Sequence, residues 1–290
     1  MSKQQHQAIL FELLRSFTTL ARTLNLSQAV RELNSTRQTV RRHISILEEA
    51  KGESLFTLNE RQYELTEAGR HSLQEAQDIL ARGGAWLQSQ AGHVNGLFHI
   101  AFDGDDHTPE GYFYHLQQHP ISRIWQGSSN LISDCVKQWA KAGGELDHEA
   151  FAEVRPHALM FRDHGEEWLC TEVGSKSAYA EWFGDAWARS SVGRPLGGLP
   201  GGSNFASLLS QSFDEIRATH GLRYDHVFTQ IVHGDDEKYR NVGYERLLMG
   251  CRYPDESLVL VSVVHRNENL DISGVSKERI EGALKEFETN

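Results

Sequence analysis

The stretch from residue 26 to residue 69 constrains this chain most, because two short helical patterns are followed there by two short strand patterns. The first helix covers Leu26 to Leu33, and the tripeptide Asn34-Ser35-Thr36 separates it from a second helix. Ser35 stands three residues before Gln38, which is the spacing of a helix capping box. Residues 55–58 and 62–65 have the composition of short strands around a polar tip. This order predicts a winged helix-turn-helix, whose second helix would lie in the major groove of DNA.

The second helix has the composition of a DNA-reading helix. Between Ser35 and Leu47 there are three arginines and no acidic residue. Its apolar positions (Val40, Ile44 and Leu47) fall on one side, so the opposite side is polar and basic. Arginine can pair with guanine and glutamine with adenine, and a helix N-terminus can bind a phosphate. We expect the DNA contacts to come from Ser35, Thr36, Arg37, Gln38, Arg41 and Arg42, with Arg61 of the wing tip added. The alternative is a solvated basic helix face in an unrelated helical domain.

Within these contacts we expect a division of roles. Arg37, Gln38 and Arg41 would read base edges. An arginine can donate two hydrogen bonds to guanine, and a glutamine amide can both donate to and accept from adenine. Thr36, Arg42 and Arg61 would hold phosphates.

The net charge of the whole chain hides a difference between its two parts. The 290 residues carry a formal charge of −11, which on its own argues against a nucleic-acid binder. Residues 1–90 contain 11 Lys/Arg and 10 Asp/Glu, a charge of +1, whereas residues 91–290 contain 18 and 30, a charge of −12. The acidity therefore belongs to the second part, and the first part remains compatible with DNA.

A longer helix follows the wing and predicts dimerisation. Thr66 has the position of its N-cap, and leucines recur at intervals of seven: Leu73, Leu80 and Leu87. Such a seam is typical of two helices that pack against each other. The alternative is that these leucines pack on the core of their own domain.

The residues from about Leu14 to Leu80 resemble, without a gap, the DNA-binding domain of LysR-type transcriptional regulators. The similarity rests on Phe17, the helix from Ala29 to Leu33, Ile44, Leu47-Glu48-Glu49, Gly52, Leu55-Phe56 and the segment Leu65-Thr66-Glu67-Ala68-Gly69. The resemblance implies that the helix beginning at Thr66 is the linker helix through which two chains dimerise. The chain differs from the family in its wing, which holds one arginine, Arg61, beside Glu60 and Glu64.

The part beyond residue 91 predicts a sensor domain of another kind. Residues 156–266 contain two strand patterns, an aromatic helical stretch and then three successive strand patterns with short turns. This order is similar to that of PAS-like domains, in which a five-stranded antiparallel sheet holds a small molecule or a partner. Gly193-Arg194-Pro195-Leu196 also looks like a segment common in those domains. The alternative is a divergent periplasmic-binding-protein-like effector domain, which would require a parallel sheet.

Aromatic residues indicate where a ligand would sit if the PAS-like interpretation holds. The candidates are Phe161, Trp168, Tyr179, Trp182 and Phe183, and the alternative for each is a plain core position. No particular cofactor is indicated. His115 and His119 are four residues apart, but no defined ligand spacing surrounds them, so no metal site is predicted. The chain contains fifteen histidines, so a pH-sensing role is compatible with the sequence, but no particular histidine is indicated.

Together these patterns predict an α+β protein in four parts. These are a winged helix-turn-helix domain (1–65), a linker and dimerisation helix (66–92), a helical connecting region (93–155) and a PAS-like sensor (156–290). We expect a cytoplasmic regulator that binds double-stranded DNA as a homodimer or tetramer and responds to a small-molecule effector. No catalytic motif, membrane segment or disulfide framework is predicted, so an enzyme is the less favoured class; a winged-helix scaffold that binds protein is another alternative.

Overall fold

A computed structural model describes residues 9–59, 62–87, 91–104, 111–127, 129–164, 167–199, 202–232 and 239–285. The chain divides into two compact units, residues 1–87 and residues 88–290. The first unit is mainly helical and the second is built on a large antiparallel sheet, which confirms the α+β class. No described helix is both long enough and apolar enough to cross a membrane.

The first unit contains four helices and a two-stranded sheet among its described residues. The elements are α1 (Leu10–Thr23), α2 (Leu26–Glu32), α3 (Arg37–Lys51), β1 (Phe56–Asn59), β2 (Gln62–Leu65) and α4 (Glu67–Leu87). One apolar core joins them, with Phe17, Leu20, Val40, Leu55 and Ala76 among its buried members. The predicted winged helix-turn-helix is therefore present.

Side chains and one glycine set the ends of the helices in this unit. Thr36 caps α3, since its Oγ1 accepts the N–H of Thr39 at 3.1 Å, so the expected capping role of Ser35 was wrong by one residue. Gly52, with a φ of 75°, ends α3 in the left-handed conformation that glycine adopts without strain. Thr66 caps α4 as predicted: its Oγ1 accepts the N–H of Gly69 at 2.9 Å.

The second unit is organised around one eight-stranded sheet with the order β3-β4-β5-β8-β9-β10-β6-β7. Its strands are β3 (Ala91–Val94), β4 (Leu97–Phe102), β5 (Tyr114–His119), β6 (Ala158–Asp163), β7 (Trp168–Val173), β8 (Leu222–Val232), β9 (Tyr239–Arg252) and β10 (Leu258–Arg266). Every pairing between these strands is antiparallel. The alternative of a parallel-sheet effector domain is therefore wrong for the described residues.

Helices cover both faces of this sheet. They are α5 (Asn130–Ala142), α6 (Ala178–Phe183), α7 (Asp185–Ser191), α8 (Gly202–Thr219) and α9 (Lys277–Lys285). On the first face, α6 and α8 pack over residues such as Phe161, Tyr244 and Leu248. On the second face, α5 packs over Met160, Leu247 and neighbouring residues, while α9 packs near Phe113 and Phe228. Strands that are covered on both faces are apolar on both, because neither side meets water.

The structure differs from the predicted connecting region. Residues 93–155 were expected to form a helical connection, but β3, β4 and β5 lie at one end of the same sheet as the later strands. Tyr114 in β5 is paired with Thr229 in β8, so this sheet joins segments more than a hundred residues apart. The five strands predicted in residues 156–266 are present, and they occupy the order β8-β9-β10-β6-β7 within the larger sheet.

Candidate nucleic-acid interface

Helix α3 presents the predicted basic face to solvent. Val40, Ile44 and Leu47 are buried against the core of the first unit, as the apolar pattern predicted. Five polar residues on the opposite side are exposed: Thr36, Arg37, Gln38, Arg41 and Arg42. Ser35 is half-buried at the bend before the helix, where its backbone N–H bonds to the carbonyl of Val30 at 3.1 Å. Up to Leu47, the helix can thus offer a cationic surface without acidic residues to a phosphate backbone or to base edges.

Two contacts that the sequence did not suggest fix α3 within the unit. The Nη2 of Arg37 donates to Ser27 Oγ at 2.7 Å, which ties the first turn of α3 to α2. His43 Nδ1 lies 2.7 Å from Ser16 Oγ on α1, and burial lowers the pKa of His43. His43 is consequently a neutral packing residue rather than part of the basic face.

The wing is anchored to α3 by a carboxylate. Glu48 Oε1 accepts the backbone N–H groups of Leu55 at 2.8 Å and Phe56 at 3.2 Å, at the point where β1 begins. The two wing strands are antiparallel: Phe56 is paired with Leu65 at one end and Asn59 with Gln62 at the other. Arg61, the predicted phosphate contact of the wing, lies outside the described residues. Glu48 was noticed in the sequence only as part of a family motif, and its structural role needed the fold.

The predicted leucine seam of α4 is divided between core and surface. Leu73 and Leu80 are half-buried and pack against the core of their own unit, whereas Leu87 is 70% exposed. Two further apolar residues of α4 are exposed, Ile79 at 45% and Trp86 at 69%. The ring of Phe11 from α1 lies directly over Gly83, where a Cβ would come within 2.3 Å of Phe11 Cε2. An apolar strip formed by Phe11, Ile79, Trp86 and Leu87 is therefore what α4 offers to a partner.

The predicted ligand-pocket residues lie on the first face of the large sheet. Phe161, Trp168 and Trp182 belong to one buried cluster, in which the rings of Phe161 and Trp168 lie 5.4 and 5.7 Å from that of Phe213. Tyr179 belongs to a separate small cluster and bonds to Ser191 Oγ at 2.6 Å, and Phe183 packs against both clusters. The structure therefore brings three of the five residues together, all within the core.

One polar atom in this region has no hydrogen-bond partner in the described part of the chain. The indole Nε1 of Trp182 is buried and unpaired. The centroids of the Trp182 and Tyr244 rings are 5.4 Å apart. An indole N–H can only donate, and leaving it unpaired in the interior is costly. A ligand that carries a hydrogen-bond acceptor would satisfy it.

A buried charge network on the same face was not predicted. Asp225 accepts from Arg223 Nε at 2.9 Å and from Arg246 Nη2 at 2.8 Å, and all three side chains are nearly inaccessible to solvent. Arg223 also pairs with Glu215 of α8. The sequence places Arg223 and Asp225 two residues apart in a strand, so both point to one face. That helix α8 covers this face of the sheet could be seen only in the folded structure.

The remaining candidate groups have ordinary structural roles. His115 and His119 lie on strand β5 rather than on a helix, and the described residues hold no group of three or more metal-ligand side chains. Cys135, Cys170 and Cys251 are buried free thiols. Burial raises the pKa of Cys135 to about 12 and that of Cys170 to about 11, and also raises the pKa of Cys251. These thiols are therefore protonated and unreactive near neutral pH.

The fold and the exposed basic helix define a class of protein: a winged helix-turn-helix domain joined in one chain to an antiparallel sheet domain. Residues 11–70 match the family described as "Bacterial regulatory helix-turn-helix protein, lysR family". The HTH-type transcriptional activator AllS of Salmonella paratyphi A is 41% identical over 78 residues, which is 27% of this chain and 24% of that protein. AllS of Klebsiella pneumoniae is 35% identical over 83 residues, 29% of each chain.

These similarities concern one part of the molecule. The chain spans about a quarter of the length of the curated relatives it matches. The crystal structure of the CbnR_DBD-DNA complex is 29% identical and covers 27% of this chain and 91% of that one, with a TM-score of 0.27. The family match places the similarity to lysR-family helix-turn-helix domains in residues 11–70, within the N-terminal unit.

Proposed function

We propose that this protein is a DNA-binding transcriptional regulator of the LysR type that acts in the cytoplasm as a homodimer. The observation that carries the proposal is the exposed face of α3 between Arg37 and Leu47, which holds no acidic residue and directs Arg37, Gln38 and Arg41 away from the core of a winged helix-turn-helix. The family match over residues 11–70 and the relatives described as transcriptional activators support it. In this role Arg37, Gln38 and Arg41 read bases, while Thr36, Arg42 and Arg61 hold phosphates.

The proposal includes a division of labour between the two units. The C-terminal unit is a PAS-like sensor of a small ligand or partner, an idea supported by the five antiparallel strands in residues 156–266 and by the unpaired Trp182 Nε1. A ligand that binds one arrangement of a dimer better than another shifts the population of DNA-binding states. The molecule is a regulator, not an enzyme, in this proposal.

The decisive experiment is a fluorescence-anisotropy titration of the full chain with duplex DNA from its own upstream region. We expect binding that weakens steeply with salt, because phosphate contacts release counterions. Arg41→Ala should weaken binding by about 1–3 kcal/mol if Arg41 pairs with a guanine. Arg189→Ala removes an exposed arginine of α7 and serves as the matched control, with affinity unchanged.

Two outcomes would contradict the proposal. Unchanged affinity and base preference in Arg41→Ala would refute the base-reading role of that residue. Complete absence of binding to DNA at low salt would instead favour a winged-helix scaffold that binds protein.

A further inference from the structure

The segment that follows β10 crosses the second face of the large sheet. We call residues 270–283 the strap. Leu270, Ile272 and Ile280 of the strap pack with Phe113 and with Phe228 of β8 in a small buried cluster. Near its end, the carbonyl of Ala283 accepts a hydrogen bond from Asn241 Nδ2 at 3.1 Å. The strap thus covers Phe228 of β8 and Phe113, the residue before β5.

Three histidines of the sheet bond to the backbone of the strap. His99 Nε2 lies 3.0 Å from the carbonyl oxygen of Ser273, and His119 Nε2 lies 2.8 Å from that of Asp271. A carbonyl can only accept, so both rings carry their proton on Nε2. The third contact has the opposite polarity, since the N–H of Asp271 donates to His226 Nδ1 at 3.0 Å.

His226 can hold the strap only while it is neutral. Its Nδ1 must be unprotonated to accept from Asp271. Its Nε2 lies 3.0 Å from the hydroxyl of Tyr224, which in turn donates to Glu245. The imidazole therefore uses one donor and one acceptor. Protonation would place a second N–H against the N–H of Asp271 and would remove that hydrogen bond.

The surroundings of His226 make a positive charge unfavourable. The rings of His119 and His226 are 4.2 Å apart, so two imidazolium ions would lie side by side. Burial lowers the pKa of His99 and His119, and burial with the nearby His119 and Arg123 lowers the pKa of His226 to about 3. Arg123 is itself paired with Asp271 at 2.7 Å.

The other charged groups nearby are already paired. His265 Nδ1 lies 3.1 Å from Glu245. Asp103 takes contacts from both His115 and Arg279, at 3.1 and 2.9 Å. Asp225, on the opposite face, is bonded to Arg223 and Arg246. These carboxylates therefore do not offer His226 a direct partner that would stabilise its cation.

We propose that the strap is an acid-sensitive latch: neutral His226 accepts the N–H of Asp271 and holds residues 270–283 on the sheet, and proton uptake by His226 breaks this bond and releases the strap. His99 and His119 donate to strap carbonyls in either protonation state. Once the strap leaves, the rings are exposed and regain their ordinary affinity for protons. Each histidine that titrates only in the open form increases the opening equilibrium by about tenfold for each pH unit below about 6.5. The latch concerns the C-terminal unit alone and does not depend on the proposed role in DNA binding.

Hydrogen exchange of the full chain between pH 7 and pH 5.5, corrected for intrinsic exchange rates, tests this latch. The opening equilibrium of the Asp271 amide should rise about eightfold across this range, from linkage to His226 alone. The amides of β10 should report a rarer opening with its own pH dependence, because that strand lies in the middle of the sheet. An Asp271 amide that is insensitive to pH, or that always opens together with β10, would overturn the proposal.

Two substitutions isolate the histidines. In His119→Gln with His226→Asn, the amide groups can reproduce the Nε2 donor and the Nδ1 acceptor without titrating, so the strap should stay closed and the rise should be largely lost. His164→Gln changes an exposed histidine of the β6–β7 turn and should leave the rise intact. A double variant that is folded and keeps the full rise would refute the latch. Unprotected β10 amides at pH 7 would mean that the double variant does not fold. The latch is then tested by comparing the pH dependence of the strap and β10 amides in the unsubstituted chain.

Discussion

At the scale of single residues, Thr66 shows how much one hydroxyl holds together. Its Oγ1 accepts from the N–H of Gly69 and donates to the carbonyl of Ser54 at 2.6 Å, so it caps α4 and fixes the chain before the wing. We expect Thr66→Ala to destabilise the N-terminal unit by about 1–2 kcal/mol. Hydrogen-exchange protection of α1 and α4 in the full chain would measure this loss. Thr66→Ser keeps the hydroxyl and should retain most of the protection; equal losses in both variants would contradict the capping role.

The buried network around Asp225 leads to a larger effect. Asp225→Asn removes the charge that compensates two buried arginines, Arg223 and Arg246, and should destabilise the C-terminal unit by about 3–5 kcal/mol. The control is Asp214→Asn, which weakens a half-exposed pair with Arg217 and should cost at most about 1 kcal/mol. Thermal unfolding followed by near-UV circular dichroism would compare them. Similar midpoints for the two variants would show that the network is not stabilising.

The same network marks where prediction from sequence stops at this scale. The outward face of α3 could be predicted, because apolar spacing within one helix determines which residues are buried. The burial of Arg223 could not, because it depends on α8 covering a face of the sheet. Trp182 was one of the aromatic candidates from the sequence, but its unpaired Nε1 became visible only with its neighbours in place.

At the scale of elements, the exposed strip on α4 predicts where two chains associate. Ile79 and Trp86 are seven residues apart, and Phe11 fills the space over Gly83 between them. We expect Ile79→Glu with Trp86→Glu to convert a dimer into a monomer, since two charges would replace buried apolar area. Sedimentation velocity of the full chain measures this. Leu58→Glu, at a residue of the wing that is 61% exposed, is the control and should leave the dimer intact.

If the double variant remains dimeric, the dimer interface does not lie on the exposed strip of α4. By contrast, Leu73 and Leu80 are unsuitable for this test, because they pack on the core of their own unit and their loss would destabilise it. The heptad spacing predicted a dimerisation seam of Leu73, Leu80 and Leu87 on α4. It did not distinguish the side that faces the core from the side that faces a partner.

Strands were predicted well where the sequence alternates or is strongly apolar, and poorly elsewhere. The strands β6 to β10 were expected, and β8 to β10 are long and rich in aliphatic residues. Strand β5, Tyr114–His119, contains two histidines and two glutamines, so it does not have the composition of a buried strand. A spacing of four places His115 and His119 on one side of either a helix or a strand. Only the pairing with β8 resolves that ambiguity.

At the scale of the whole molecule, the separation of charge matches the separation of the two units. Residues 1–90 carry +1 and residues 91–290 carry −12, while the structural boundary falls after Leu87. An N-terminal unit that is nearly neutral has few cations for phosphate contacts beyond those on α3. We therefore expect each DNA-binding head to have modest affinity, so that two heads on one duplex supply the strength of binding.

The stability of the C-terminal unit should also fall in mild acid, because the proton linkage that favours opening of the strap favours global unfolding as well. The folded state lowers the pKa of His99, His115, His119 and His226, chiefly through burial, whereas the unfolded chain has ordinary histidines near 6.5. A lowered pKa means that the unfolded state binds more protons as pH falls below about 6.5. The stabilising contribution is therefore complete above that pH and is lost progressively towards the lower folded pKa.

The magnitude for one residue follows from proton linkage. Because the pKa of His226 is about 3 when folded, the free energy of unfolding should fall by about 1 kcal/mol between pH 6.5 and 5.5 through this residue alone. Asp103, whose pKa is also lowered, contributes to acid sensitivity only at more acidic pH. Urea unfolding at constant ionic strength would give the slope, and His226→Asn should reduce it. A C-terminal unit with equal stability at pH 7.5 and pH 5.5 would mean that these histidines are already accessible to solvent in the folded protein.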